Sequence, residues 1–245
     1  MRFTFVGCGD AFGSGGRLHT CFHVTGEHAN FLIDCGASSL IGLKANRIFL
    51  NAIQAIFVTH FHADHFGGIP FFMLDAQFFS KRSEPLTIVG PPGLSSWFER
   101  VMETAFPGSS KTVPTFSVSL VEISADEQRT VAGVNVQSFQ AKHGDPGGLC
   151  FSYRFEAEGK IIAYTGDTEW TDELISAAKD ADLFVAEAYF FEKKVKMHLD
   201  LQSLAARLPQ MNAKRVVLTH MSDDMLGRLK ELSYETAYDG MIITL

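Results

Sequence analysis

The chain has 245 residues, 46% of them apolar, and a net charge of −7 at pH 7. That length and apolar share suit one large domain, residues 1–245, with a substantial core. The negative balance argues against a broad basic surface gripping long nucleic acid. It leaves a small anionic substrate open, because bound metal ions would supply local positive charge.

No stretch approaches the ~18–20 consecutive apolar residues of a membrane span. Met1–Gly7 is too brief for a secretory apolar region. Cys8, Cys21, Cys35 and Cys150 form no Cys-x-x-Cys pair. Buried free thiols in a reducing, cytoplasmic setting are therefore expected.

In chain order, residues 2–6, 20–25 and 30–34 read as strands, with a flexible turn at Gly13-Ser-Gly-Gly-Arg17 between the first two. That loop lacks the Gly-Lys-Ser/Thr of a phosphate cradle and reads as a turn or a pocket rim. Residues 36–46 read as a helix, and Gln54–Thr59 as a buried strand, short, apolar and β-branched.

Immediately after that strand come His60, His62, Asp64 and His65, three imidazoles and a carboxylate within six positions. These are donor types that zinc and similar borderline metals take, and a strand end followed by a tight loop can bring them to one point.

A helix over 69–80 carries Phe71, Phe72, Met73, Leu74, Phe78 and Phe79; core packing together with a dimer contact is expected of it. Then follow a strand at 86–89, a helix at 94–105, strands at 115–123 and 129–140, and a hairpin at 149–155 and 160–164. Helices at 171–179 and 201–208 flank a strand at 182–186; a strand at 215–219, a helix at 223–232 and a strand at 241–245 close the chain. Strands in both halves with helices between them suit layered α/β packing. A weak echo joins Ile56-Phe-Val-Thr-His60, Val216-Val-Leu-Thr-His220 and Ile161-Ile-Ala-Tyr-Thr-Gly-Asp167: apolar strands, each ending in a metal-ligand type.

The run His60-Phe-His-Ala-Asp-His65 after an apolar strand resembles the metallo-β-lactamase superfamily of metal-dependent hydrolases. The resemblance implies a four-layer αββα sandwich with a metal site at one edge. It gives His60, His62 and His143 to a first metal, Asp64, His65 and His220 to a second, and Asp167 to both. Two divalent ions, zinc first with manganese or iron accepted by the same donors, would acidify a shared water towards pKa ~7 and supply hydroxide for hydrolysis.

The C-terminal half is similar to the ribonuclease Z-like phosphodiesterase branch. Ala186-Glu-Ala-Tyr189 stands where that branch has His-Glu-Ala-Thr, and His198-Leu-Asp200 where it has His-Ser-Thr. The resemblance makes His198 and Glu187 catalytic, with Asp64: the histidine protonates the leaving oxygen or steadies the transition state, and the glutamate orients it. The 24 residues from His143 to Asp167 are too few for that branch's tRNA-gripping arm, and its Pro-x-Lys-x-Arg-Asn loop is absent. A small or cyclic phosphodiester is therefore the expected substrate. A lactone, thioester or β-lactam, or a non-catalytic metal-binding sensor, are the alternatives that the shared ligand set leaves open. Lys193, Lys194 and Lys196 read as a solvated face, and His19, His23 and His28 as structural or surface residues.

Overall fold

The computed structural model describes residues 1–144 and 149–245. Strands β1 (Arg2–Gly7), β2 (Cys21–Thr25), β3 (Asn30–Ile33), β4 (Ala55–Phe57), β5 (Leu86–Gly90) and β6 (Val118–Glu122) form the first sheet. Strands β7 (Gln128–Val131), β8 (Val134–Gln140), β9 (Phe151–Ala157), β10 (Lys160–Tyr164), β11 (Leu183–Glu187), β12 (Val216–Thr219) and β13 (Glu235–Thr236) form the second, while β14 (Ile242–Thr244) returns to the first.

The two seven-stranded sheets run β14-β1-β2-β3-β4-β5-β6 and β13-β12-β11-β10-β9-β8-β7. Each is antiparallel at one end and parallel at the other: β3 to β6 are parallel, as are β10 to β13. Parallel strands covered on both faces read as continuous apolar runs. In β11, Leu183 and Val185 pack between the sheets, whereas Phe184 and Ala186 pack outward under helices.

The inter-sheet core is aromatic, with Phe3, Phe5, Phe22, Phe31, Phe57, Tyr153, Phe155 and Tyr164 all buried. Phe57 meets Phe155 across the sheets at 5.1 Å, and Phe22 meets Tyr164 at 5.0 Å, both edge to face.

Helices α1 (Ser39–Ala45), α2 (Ala63–Phe66), α3 (Ile69–Leu74) and α4 (Leu94–Ala105) belong to the first half. Outward residues of the first sheet, Val6, Leu32, Ile56 and Ile88, pack with Leu43, Phe72 and Leu94 from these helices. Helices α5 (Glu173–Ala178), α6 (Leu201–Ala205) and α7 (Asp223–Leu226) cover the second sheet through Leu174, Leu204 and Met225. The order helix, sheet, sheet, helix is the expected four-layer αββα sandwich.

Several expected elements differ. The strand over 129–140 is a hairpin, β7 and β8, because Ala132 and Gly133 both take positive φ and turn the chain. The helix over 69–80 is α3 followed by a wider π-turn at Asp75–Phe79. Its Phe72 and Met73 are core residues, while Phe71, Phe78 and Phe79 are exposed. The helix over 223–232 stops at Leu226 and resumes only as a 3-10 turn at Leu229–Glu231. All four cysteines are buried and free. No helix among the described residues is long and apolar enough to cross a membrane.

Candidate metal centre

The site is built from strand ends. Asp34 follows β3, His60 follows β4, Asp167 follows β10, Glu187 ends β11 and His220 follows β12. Side chains at the carboxyl ends of parallel strands converge on one crevice, here from both sheets. The edges are stitched together there: Phe151 N–H donates to Thr59 O at 3.0 Å, and Tyr153 Oη donates to Val58 O at 3.0 Å.

The short α2 carries Asp64 and His65, with His62 just before it. It packs tightly on the turn after β3, where Cys35 N–H donates to His65 O at 2.7 Å. Gly36 is required at this approach, since a Cβ there would lie 2.1 Å from Asp64 O.

All seven residues expected from the sequence as metal ligands converge. His60, His62 and His143 form one group of donor atoms, and Asp64, His65, Asp167 and His220 a second, each within 4.8 Å. Asp167 lies between them. Its Oδ2 is 4.0 Å from His60 Nε2, 3.9 Å from His143 Nε2 and 3.4 Å from His220 Nε2, while its Oδ1 is 3.2 Å from His65 Nε2. Asp64 Oδ2 is 3.3 Å from both His65 Nε2 and His220 Nε2. Except for the exposed His62, these residues are buried.

The outer hydrogen bonds fix which nitrogens face inward. His65 Nδ1–H donates to Asp34 Oδ2 at 2.7 Å. Thr59 Oγ1 donates to Asp34 and accepts His60 Nδ1–H at 3.1 Å. His143 Nδ1–H donates to the Met197 carbonyl at 2.7 Å. Each bond leaves the Nε2 lone pair of its ring aimed at the centre. Among the described residues, the buried His60 Nε2, His65 Nε2 and Asp167 Oδ1 have no hydrogen-bond partner. Buried polar atoms are ordinarily paired, so unpaired imidazole and carboxylate atoms facing one another fit divalent cations.

Charge follows the same plan. Burial, reinforced by the neighbouring His65, holds His60 well below the ordinary imidazole pKa, so it offers a neutral nitrogen. Burial opposes charge on His65, but Asp167, Asp34 and Asp64 outweigh it and raise its pKa. Burial likewise opposes charge on Asp167, and the surrounding histidines overcome that to keep it ionised.

Beside the second group, His198 Nδ1 bonds Glu187 Oε1, and Glu187 Oε2 accepts Thr168 N–H at 2.9 Å and Leu199 N–H at 3.2 Å. Tyr189 stacks on the His198 ring at 4.5 Å and 25°. Its hydroxyl is pushed up to about 12 by burial and the nearby Asp10 carboxylate. Asp200 has a separate task, capping α6 by accepting Ser203 N–H at 2.8 Å. Lys193, Lys194 and Lys196 are exposed; His23 is buried and bonded to Asn30, and His28 is exposed.

The sequence reading missed Asp34, Thr59, Met197 and Glu169. Asp34 had a usable signal: Phe31-Leu-Ile-Asp34 is another apolar strand ending in an acid. Asp34 and His220 also hold left-handed backbone, φ 58° and 54°. Such conformations cost roughly 1–3 kcal/mol and gather at functional sites.

Two stacked sheets with this donor cluster at their strand ends define a metal-dependent hydrolase of the metallo-β-lactamase fold. The β-lactamase superfamily domain matches residues 29–221, and the chain belongs to that superfamily. It is 27% identical to a ribonuclease Z of Agathobacter rectalis over 284 positions, covering 91% of this chain and 90% of that protein. A ribonuclease Z of Methanosarcina acetivorans is 24% identical, with 94% and 92% covered. Among solved structures, the short form of human tRNase Z superposes with a TM-score of 0.80 at 25% identity, covering 100% of this chain and 99% of that one. A diphosphatase of the PhnP family gives 0.79 at 20% identity, with 100% and 97% covered.

Proposed function

We propose that this chain is a phosphodiesterase that acts on a small or cyclic phosphodiester with two divalent ions, zinc first. The observation that carries the reading is Asp167, whose oxygens face both imidazole groups while His198 stands alongside on Glu187. His60, His62 and His143 would hold one ion, Asp64, His65 and His220 the other, with Asp167 shared. Ions bound there supply Lewis acidity, acidifying water and neutralising charge on phosphate oxygens.

The protein's own groups do the rest. Glu187 holds His198 by Nδ1, which leaves Nε2 for the leaving alkoxide oxygen. His198 donates its Nε2 proton as the P–O bond breaks, and Glu187 balances the charge on the ring beforehand. Tyr189 lies flat on that ring and restricts its rotation.

The small-substrate reading is supported by the missing insertions. The alignment to the Agathobacter rectalis protein spans 284 positions against a chain of 245 residues, so that relative carries segments this chain lacks. Between His143 and Asp167, residues 151–164 are taken up by the β9–β10 hairpin. A second reading, RNA as substrate, is favoured by the ribonuclease Z names of the relatives.

The zinc-loaded protein assayed on an aryl phosphodiester, a cyclic nucleotide and a precursor tRNA transcript separates the two. Turnover of the first two without transcript cleavage supports a small substrate. Specific cleavage of the transcript supports RNA, and lactone hydrolysis alone would reject both.

A homodimer and a cytoplasmic location complete the proposal. The dimer rests on the exposed Phe78 and Phe79, with Lys44 of α1 lying over the Phe79 ring.

A further inference from the structure

Met197 is an exposed residue between a lysine-rich segment and His198, and its backbone is bound on both sides. Its carbonyl accepts His143 Nδ1–H at 2.7 Å. Its own N–H donates to Glu169 Oε1 at 3.1 Å. Glu169 is in turn fixed to the segment that carries His143: Glu169 N–H donates to Lys142 O at 3.0 Å, and Glu169 Oε2 accepts from Lys142 Nζ at 2.8 Å. Met197 also holds φ at 73°, a left-handed conformation that a methionine keeps only when its surroundings impose it.

We propose that Glu169 is a positioning residue of the metal centre, acting through the Met197 backbone to aim the His143 imidazole. The Glu169 carboxylate pins the Met197 peptide, and the pinned carbonyl selects the His143 tautomer and ring angle that turn Nε2 towards His62 and Asp167. Glu169 lies two residues beyond Asp167, so one short turn supplies both the shared carboxylate and the latch on a histidine of the opposite group. The inference rests on the metal-centre reading above.

A stabilising surface ion pair would behave differently. The Lys142 side chain is 65% exposed, and such pairs contribute little to folding. Loss of the latch should therefore barely move the melting temperature of the zinc-free protein. It should instead weaken zinc binding, because outer partners of ligating histidines typically account for 10–100-fold in affinity.

The test is zinc titration of the full chain against a competing chelator, with melting of the zinc-free protein alongside. Glu169→Ala is expected to weaken binding of the zinc that His60, His62 and His143 would hold by about 10-fold. Glu169→Gln keeps an oxygen for Met197 N–H and should recover most of that loss. Equal affinity of Glu169→Ala and the unaltered chain overturns the proposal while leaving the metal centre standing. Equal weakening by Ala and Gln also overturns it, since charge and not positioning would then carry the effect. Failure of the unaltered chain to bind zinc overturns the metal centre and the latch together.

Discussion

Asp34 accepts the Nδ1 proton of His65 at 2.7 Å and, through Thr59 Oγ1, also governs His60. One fully buried carboxylate thus orients an imidazole in each half of the centre. Burial pushes its pKa up, and the His65 and Thr59 bonds offset part of that rise. Asp34→Asn nearly preserves shape but replaces a charged acceptor by an amide. We expect zinc affinity to fall by about 10–100-fold, read by chelator competition. Unchanged affinity would remove Asp34 from the centre.

His198 stands beside the two groups of seven donors without belonging to either, and Glu187 holds it by Nδ1. His198→Ala should lower kcat by about 10²–10⁴ at full zinc content, the range for loss of a general acid. Tyr189→Leu should give a smaller loss by removing the stack. Metal analysis of the same samples decides the matter: a zinc deficit matching the rate loss would make His198 a ligand instead of an acid.

The local grammar of this site is readable because each donor ends an apolar strand or lies just beyond it. Thr59-His60, Thr165-Gly-Asp167 and Thr219-His220 announce themselves in that way. Glu169 and Met197 do not, because their roles depend on backbone groups of distant segments meeting in space. The β7–β8 hairpin is hidden in the sequence for a different reason: Ala132 occupies left-handed backbone that its residue type does not advertise. Apolar residues that continue past a turn hide the end of a helix, as after Leu74, where the winding widens and exposes Phe78 and Phe79.

Those two phenylalanines make the dimer testable. Phe78 is 57% and Phe79 77% exposed, an unusual use of large apolar rings in water. Phe78→Ser with Phe79→Ser should shift the molecular mass in light scattering from dimer to monomer without lowering the melting temperature. A monomer before substitution would reject the dimer.

Arg82 is a buried cation held by main-chain carbonyls. Its guanidinium donates to Leu50 O, Ile53 O, Glu84 O and Pro85 O, closing the segment before β4 onto the one before β5. Arg82→Met leaves those carbonyls without their donor in a buried place. Destabilisation by about 2–4 kcal/mol is expected in urea unfolding, with zinc affinity unchanged.

At the edge of the sandwich, Glu158 joins the two sheets in a way that acid should undo. It lies in the β9–β10 turn, and its carboxylate accepts the N–H groups of Glu27, His28 and Ala29 from the β2–β3 turn at 3.0, 2.8 and 2.9 Å. Those three bonds lower its pKa from 4.5 to about 2. A carboxyl group whose pKa is lower in the folded state stabilises it above the unfolded value. That contribution is fully present above about pH 4.5 and disappears as pH falls towards 2. Glu158→Gln lacks the titration and offers a weaker acceptor. The unaltered protein should therefore be the more stable of the two at pH 6, and the gap between their unfolding free energies should close between pH 4.5 and 2. Chemical denaturation of both proteins across that range provides the measurement. A gap that stays constant with pH would mean that the three bonds do not depend on the charge of Glu158.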